Sequence, residues 1–247
     1  MRCLLLHGLG GGPFEIESVA TALEAAGHEI SSPCLPGHGA DEASYLASCW
    51  EQWKDFAQAR YRALAAQGPV MVLGYSLGGM LALEIAEGAE FSPAGLCCLA
   101  TPLWLRSFWP PWASDWRLFL LPHLERLIDH VRLPERSEAS RRTAPWSGHN
   151  VMGIRHLAQM HRALFGIRKG LGRIEAPLCV ISLEHDPLCP PWQSAWLARK
   201  CASRVAALHV LRVPERRGGH LPGTPRQASG AVARLCADFA EQCQNKA

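Results

Sequence analysis

Short apolar runs recur along the chain, each bounded by Gly or Pro, at residues 2–7, 29–34, 69–75, 95–100, 177–183 and 207–213. Their hydrophobicity is continuous rather than alternating, which is typical of parallel strands covered on both faces. Segments with helical periodicity lie between them, at residues 16–26, 43–66, 77–87, 191–201 and 225–242. This alternation predicts an α/β fold with about six mainly parallel strands and helices on both faces of the sheet.

One interval interrupts the alternation, because some seventy-five residues separate the fourth apolar run from the fifth. A single crossover helix needs far fewer residues, so we expect a small helical cap at approximately residues 102–150, inserted after the fourth strand. A return helix over about residues 151–169 then leads back to the sheet. The tryptophans of the cap either line an apolar pocket or form the cap's own small core; they are Trp104, Trp109, Trp112, Trp116 and Trp146.

The composition favours a single globular domain over residues 1–247. The chain is 48% hydrophobic and 19% charged, which excludes a disordered polymer. A net charge of +3 and a pI near 8.4 argue against a nucleic-acid partner. Residues 102–173 nevertheless carry twelve Lys and Arg against five Asp and Glu. Such a segment can face an anionic substrate or a membrane surface, but acidic residues are interspersed among its arginines, which favours a solvated helix face.

Two features predict a cytoplasmic protein without stable membrane insertion. The apolar stretch near the N-terminus is three to five residues long, whereas a secretory signal needs about 7–15, and no window approaches the roughly 18 apolar residues of a membrane span. The ten cysteines include no C-x-x-C pair, and four of them, Cys3, Cys97, Cys98 and Cys179, fall in strand-like runs. We therefore expect reduced, buried thiols.

The strongest motif is a G-x-S-x-G pentapeptide, Gly74-Tyr75-Ser76-Leu77-Gly78, between an apolar run and a helical segment. A serine at such a strand-to-helix turn is held in a strained conformation that exposes its hydroxyl, and small flanking residues let the backbone turn tightly. A chance glycine-rich turn would also give the pentapeptide, but the strand-and-helix context favours a nucleophile.

A serine nucleophile needs a base to take its proton and a carboxylate to orient that base. Asp186 and His220 follow the fifth and sixth apolar runs, at the edge of the sheet where catalytic groups of α/β folds gather. The order Ser, Asp, His also matches this type of hydrolase. Glu184 is an alternative acid, and ten other histidines compete with His220. One of these is His149, whose Ser147-Gly148-His149 triplet follows no strand.

A glycine run follows the first strand, in His7-Gly8-Leu9-Gly10-Gly11-Gly12. Backbone N–H groups at such a position, together with the N–H after the nucleophile, can stabilise the oxyanion of acyl transfer. The run lacks the Gly-Lys-Ser/Thr of a phosphate loop and the last glycine of a dinucleotide fingerprint. The histidine spacings make no zinc site. We therefore expect neither a cofactor nor a metal.

With these motifs in hand, the chain resembles a bacterial carboxylesterase of the α/β-hydrolase superfamily, close to the monoacylglycerol-lipase branch. The resemblance implies that Ser76 is the nucleophile, His220 the general base and acid, and Asp186 its orienting carboxylate, with the N–H groups of Leu9 and Leu77 as the oxyanion hole. It is carried by Leu5-Leu6-His7-Gly8-Leu9-Gly10-Gly11-Gly12-Pro13, Leu35-Pro36-Gly37-His38-Gly39, Trp50-Glu51-Gln52-Trp53, Gly74-Tyr75-Ser76-Leu77-Gly78-Gly79, Asp186 and His220.

The resemblance implies a cofactor-independent carboxylesterase whose partner is a small acyl ester of short to medium chain length. A monoacylglycerol, an acyl thioester or an amide remains an alternative substrate for the same triad, and a catalytically silent binding protein remains an alternative function. Dehalogenase and epoxide-hydrolase chemistry is disfavoured, because relatives that perform it have Asp where Ser76 stands. The sequence leaves the oligomeric state open.

Overall fold

A computed structural model of the chain describes residues 1–88, 90, 92–105, 118, 120–133, 147–212, 220 and 226–245. Its strands are β1 (Arg2–Leu6), β2 (Glu29–Ser31), β3 (Val70–Tyr75), β4 (Gly95–Leu99), β5 (His130–Arg132), β6 (Val151–Gly153), β7 (Leu178–Leu183) and β8 (Ala206–Leu211). Its helices are α1 (Glu17–Ala25), α2 (Glu42–Ala47), α3 (Trp50–Ala65), α4 (Leu77–Gly88), α5 (Leu121–Leu124), α6 (Ile154–Gly170), α7 (Pro191–Lys200) and α8 (Arg226–Gln244).

Six strands form one sheet in the order β2-β1-β3-β4-β7-β8, and every neighbouring pair is parallel. The predicted α/β fold class is confirmed. All six predicted apolar runs are strands of this sheet, with bounds that shift by three residues or fewer. The carboxyl ends of β3, β7 and β8 therefore face the same edge, where the predicted site residues follow them.

The sheet has a buried core on each face, which explains why the strand sequences are apolar throughout. Along β1, Leu4 and Leu6 join the core beneath α3, α4, α6 and α7, whereas Cys3 and Leu5 join the core beneath α1 and α8. The same alternation continues along β3, β4 and β7. The edge strand β8 differs, because it alternates exposed with half-buried residues. Its apolar run is therefore not doubly covered.

The predicted helix over residues 43–66 is two helices, α2 and α3, separated at Ser48 and Cys49. Ser48 is extended, with ψ at 164°. The backbone N–H of Cys49 donates to the side-chain oxygen of Gln52 at 3.0 Å, so Gln52 caps the new helix. The apolar periodicity continues through both helices, so the sequence pattern does not indicate this break.

The insertion between β4 and α6 is described only in part. Residues 106–117 and 134–146 lie outside the described residues, and they include four of the five cap tryptophans, Trp109, Trp112, Trp116 and Trp146. The described part contains α5 and an antiparallel ribbon of β5 with β6. The predicted return helix begins three residues later than expected, because residues 151–153 pair with β5. Within the described ranges, no helix is long and apolar enough to cross a bilayer.

The glycines of the pentapeptide sit at close backbone contacts. A Cβ atom on Gly74 would collide with the backbone of Gly78, and a Cβ atom on Gly78 would collide with the carbonyl of Leu6. We expect Gly78→Ala to lower the free energy of unfolding by about 1–3 kcal/mol, because backbone atoms must shift to admit the methyl group. Urea unfolding followed by circular dichroism measures this change.

The matched control is Gly88→Ala in the same helix, since a Cβ atom on Gly88 meets nothing within 4 Å. This variant should be neutral or slightly stabilising, because alanine favours a helix more than glycine does. Equal unfolding midpoints for both variants would contradict the packing explanation.

Candidate active site

Ser76 occupies the turn between β3 and α4 with a positive φ of 52°. Residues other than glycine rarely adopt this left-handed backbone conformation, so hydrogen bonds from the surrounding structure must stabilise it. The N–H of Ser76 donates to the carbonyl of Leu99 at 2.9 Å, and the carbonyl of Ser76 accepts from Gly79 at 3.0 Å. Together these bonds fix the serine at the carboxyl edge of the sheet.

His220 lies against both other residues of the predicted triad. Its Nε2 atom is 2.8 Å from Oγ of Ser76, and its Nδ1 atom is 2.9 Å and 3.1 Å from the carboxylate oxygens of Asp186. An ionised carboxylate only accepts hydrogen bonds, so Nδ1 carries the ring proton and Nε2 is free to accept the serine proton. This is the geometry required for general-base activation of a hydroxyl.

Asp186 is fixed in this position by its own loop. Its side chain has no exposed surface, and its Oδ1 atom accepts the N–H groups of Leu188 at 2.8 Å and Cys189 at 2.9 Å. The competing acid Glu184 instead pairs with Arg212 at 2.8 Å, a contact that lowers the pKa of the glutamate. The structure thus places Asp186 against His220 and Glu184 against an arginine.

Tyr75 is a site residue that sequence reasoning missed. The side chain is buried, and its hydroxyl donates to the backbone carbonyl of His220 at 3.0 Å. This bond attaches His220 to β3 in addition to its triad contacts. The residues on either side of His220, 213–219 and 221–225, lie outside the described residues. The position before Ser76 is the only local signal, and it does not reveal a contact 145 residues away.

We expect Tyr75→Phe to lower kcat about 5- to 10-fold with little change in KM, because one hydrogen bond of about 1 kcal/mol no longer restrains His220. Steady-state kinetics on a nitrophenyl ester measures both constants. Tyr45→Phe is the control, since the buried hydroxyl of Tyr45 has no hydrogen-bond partner among the described residues. An equal loss in both variants would count against the role of the Tyr75 hydroxyl.

The glycine run after β1 lies beside the serine turn. Gly78 packs against the carbonyls of Leu6 and His7, which brings the start of α4 next to this run. His7 is buried, and burial lowers its pKa to about 4, so the ring is neutral at pH 7. Its Nε2 atom accepts the N–H of Leu35 at 2.9 Å, and its Nδ1 atom consequently donates to the carbonyl of Gly8 at 2.9 Å. The predicted oxyanion donors, the N–H groups of Leu9 and Leu77, thus belong to adjacent segments.

The described contacts of His149, a competing histidine, are with Tyr45 and the glycine run rather than with Ser76. Its ring stacks on Tyr45 at a centroid distance of 4.4 Å, and its backbone N–H donates to the carbonyl of Gly10 at 2.7 Å. These contacts attach the described end of the insertion to the glycine run.

One group of potential metal ligands occurs among the described residues, and it overlaps the triad. Asp186, Cys189 and His220 have ligand atoms within 4.8 Å of one another. Asp186 and His220 already use their polar atoms within the triad and its loop, and burial raises the pKa of the Cys189 thiol well above its usual value. A protonated thiol is a poor ligand, so this group is better suited to proton transfer than to metal binding.

Two features define the class of protein. One is a parallel sheet in this strand order, and the other is a serine at a left-handed turn, followed along the chain by an aspartate and then by a histidine that contacts both. Together they define the α/β-hydrolase class. The chain matches the serine aminopeptidase S33 family over residues 1–212 and belongs to that family.

Relatives of known activity match shorter stretches of the chain. It is 36% identical over 100 residues to a pimeloyl-[acyl-carrier protein] methyl ester esterase from Aromatoleum aromaticum, covering 40% of this chain and 36% of the relative. It is 32% identical over 85 residues to a thermostable monoacylglycerol lipase from Bacillus sp. strain H-257, covering 34% of each. The chain thus matches only about a third of the length of these relatives.

A solved structure extends the likeness of fold to the whole chain. The monoacylglycerol lipase of Paleococcus ferrophilus superposes with a TM-score of 0.81 at 17% identity, over 98% of this chain and 94% of that one. At this identity the likeness concerns the fold alone.

Proposed function

We propose that this protein is a serine carboxylesterase that hydrolyses short- to medium-chain acyl esters through an acyl-enzyme intermediate. The observation that carries the proposal is the continuous hydrogen-bond chain from Oγ of Ser76 through His220 to the buried Asp186. Family membership supports it, as do two relatives whose names describe ester hydrolysis. Acyl transfer by this triad needs no cofactor.

In the proposed reaction, His220 takes the proton of Ser76 while Oγ attacks the ester carbonyl carbon. The resulting oxyanion is stabilised by the N–H groups of Leu9 and Leu77. His220 then gives its proton to the leaving alcohol as the C–O bond breaks, which leaves an acyl group on Ser76. Water, deprotonated by His220, attacks this acyl-enzyme and releases the acid and the free serine. Asp186 stabilises the imidazolium that forms in each half-reaction.

A nitrophenyl ester of a short acid tests the proposal. Nitrophenol should appear in a burst equal in amount to the enzyme, followed by slower turnover as the acyl-enzyme hydrolyses. A fluorophosphonate should add one adduct per chain by intact mass, on the peptide that contains Ser76. Absence of both burst and adduct would favour the silent binding protein.

A substrate series distinguishes the alternatives that share the triad. It should compare methyl and nitrophenyl esters of increasing chain length with a monoacylglycerol, an acyl thioester and an aminoacyl amide. We expect the highest kcat/KM on an ester. A higher value on the thioester or the amide would retain the triad and overturn the assignment of substrate class.

A further inference from the structure

Glu15 is a buried acid in the segment between β1 and α1 that the triad does not use. The residue is 5% exposed, and one carboxyl oxygen accepts the N–H of Gly8 at 2.9 Å. Within the described part of the chain, no basic side chain forms an ion pair with it. A carboxyl group in such a place costs free energy, so its hydrogen bonds to the backbone are the feature to explain.

The glycine run is shaped around this carboxyl group. A Cβ atom on Gly11 would overlap the carboxyl of Glu15, and a Cβ atom on Gly8 would lie 3.1 Å from it. The N–H of Glu15 also donates to the carbonyl of Gly12 at 3.0 Å. Glycine at position 11 is therefore required for the loop to close on the Glu15 side chain.

Two neighbouring peptide groups of this loop are held from different sides. The peptide that joins Gly8 to Leu9 is held through its carbonyl, which accepts a hydrogen bond from Nδ1 of His7 at 2.9 Å. The preceding peptide is held through its N–H, which donates to Glu15. Glycine backbones rotate freely, so a single anchor would leave the direction of the Leu9 N–H undetermined. Two anchors restrict rotation on both sides of the Gly8 Cα atom.

We propose that Glu15 is a positioning residue that sets the direction of the Leu9 N–H toward the oxyanion. This inference rests on the proposed function, because it assigns to Leu9 the role of an oxyanion donor. Glu15 itself touches no reacting atom and acts through the Gly8 peptide.

The chemistry of Glu15 suggests a matched pair of variants. Burial raises its pKa to about 8, so the native side chain is mainly neutral at pH 7. Glu15→Gln keeps a neutral side chain of the same shape with an oxygen that accepts the Gly8 N–H. Glu15→Met keeps similar volume and lacks that acceptor. Glu17→Met serves as a control, since Glu17 is exposed at the start of α1.

The experiment compares kcat, KM and the inhibition constant of an alkyl trifluoromethyl ketone, which forms a tetrahedral oxyanion adduct with a serine. We expect Glu15→Met to lower kcat about 10- to 100-fold and to raise the inhibition constant of the ketone by a similar factor, with KM nearly unchanged. Glu15→Gln should recover most of both losses, and Glu17→Met should behave as the wild type.

Wild-type kcat and ketone affinity in a folded Glu15→Met variant would overturn the inference while leaving the proposed function intact. An equal loss in Glu15→Gln would overturn it too, as would loss of the native circular dichroism spectrum in both variants, which would make the role structural. Failure of the proposed function is a separate result, seen as a wild type without burst or adduct.

Discussion

Replacement of Ser76 by Ala is expected to abolish the nitrophenol burst and to lower kcat on the order of 10⁶-fold. The variant lacks the oxygen that lies 2.8 Å from Nε2 of His220, so no acyl-enzyme can form. Its fold should persist, because the turn is held by the backbone bonds of residue 76 and not by the hydroxyl. Burst kinetics, fluorophosphonate labelling and circular dichroism on the same preparation measure these outcomes.

Ser147→Ala is the matched control for this experiment. Ser147 is an exposed serine two residues before His149, in the triplet that competes with the His220 segment. Its loss should leave kcat within about 2-fold of the wild type. A normal burst in Ser76→Ala, or loss of the burst in Ser147→Ala, would place the nucleophile elsewhere.

Asp186→Asn should lower kcat on the order of 10⁴-fold with a smaller effect on KM. The amide can donate a hydrogen bond to Nδ1, which favours the tautomer whose Nε2 carries a proton and cannot accept one from Ser76. It also leaves the imidazolium without a neighbouring charge. The native carboxylate is held by the N–H groups of Leu188 and Cys189, so its place near His220 is fixed before substrate binds. The pH dependence of kcat/KM should be measured alongside, since it reports the change in the base.

Glu184→Gln tests the alternative acid two residues away. Its carboxylate contacts Arg212 at the surface, and solvent screens an exposed ion pair of this kind. We expect kcat within about 2-fold of the wild type. If Glu184→Gln loses activity and Asp186→Asn does not, the orienting carboxylate is Glu184.

The fold could be predicted from the sequence because its main signals are local. Continuous apolar runs follow from a sheet with two cores, and the alternation of Leu4 with Leu5 between those cores shows why neither strand face is polar. The break between α2 and α3 could not be predicted in this way, since Gln52 caps α3 without interrupting the apolar periodicity. The ribbon of β5 and β6 has only three residues in each strand, too few to give a pattern.

The same distinction, between residues with a local sequence signal and residues without one, applies to the candidate site. Ser76, Asp186 and His220 follow strands, and parallel strands bring their carboxyl ends to one edge, so the sequence order already indicates their meeting. Tyr75 and Glu15 carry no such signal. Tyr75 occupies an apolar strand position, and Glu15 resembles an ordinary acidic residue before a helix. Their roles depend on contacts that only the folded chain defines. The cytoplasmic location and the bounds of the cap stay predictions.

The left-handed backbone of Ser76 sets local function against global stability. A serine with a backbone φ of 52° lowers the free energy of unfolding by roughly 1–2 kcal/mol relative to glycine, but glycine has no hydroxyl. The free energy of unfolding of typical domains is only about 5–15 kcal/mol, so the strain at this single residue is a substantial fraction of it. Selection for thermal tolerance alone would therefore remove the serine, and any stabilised variant that stays active must gain its stability elsewhere in the fold.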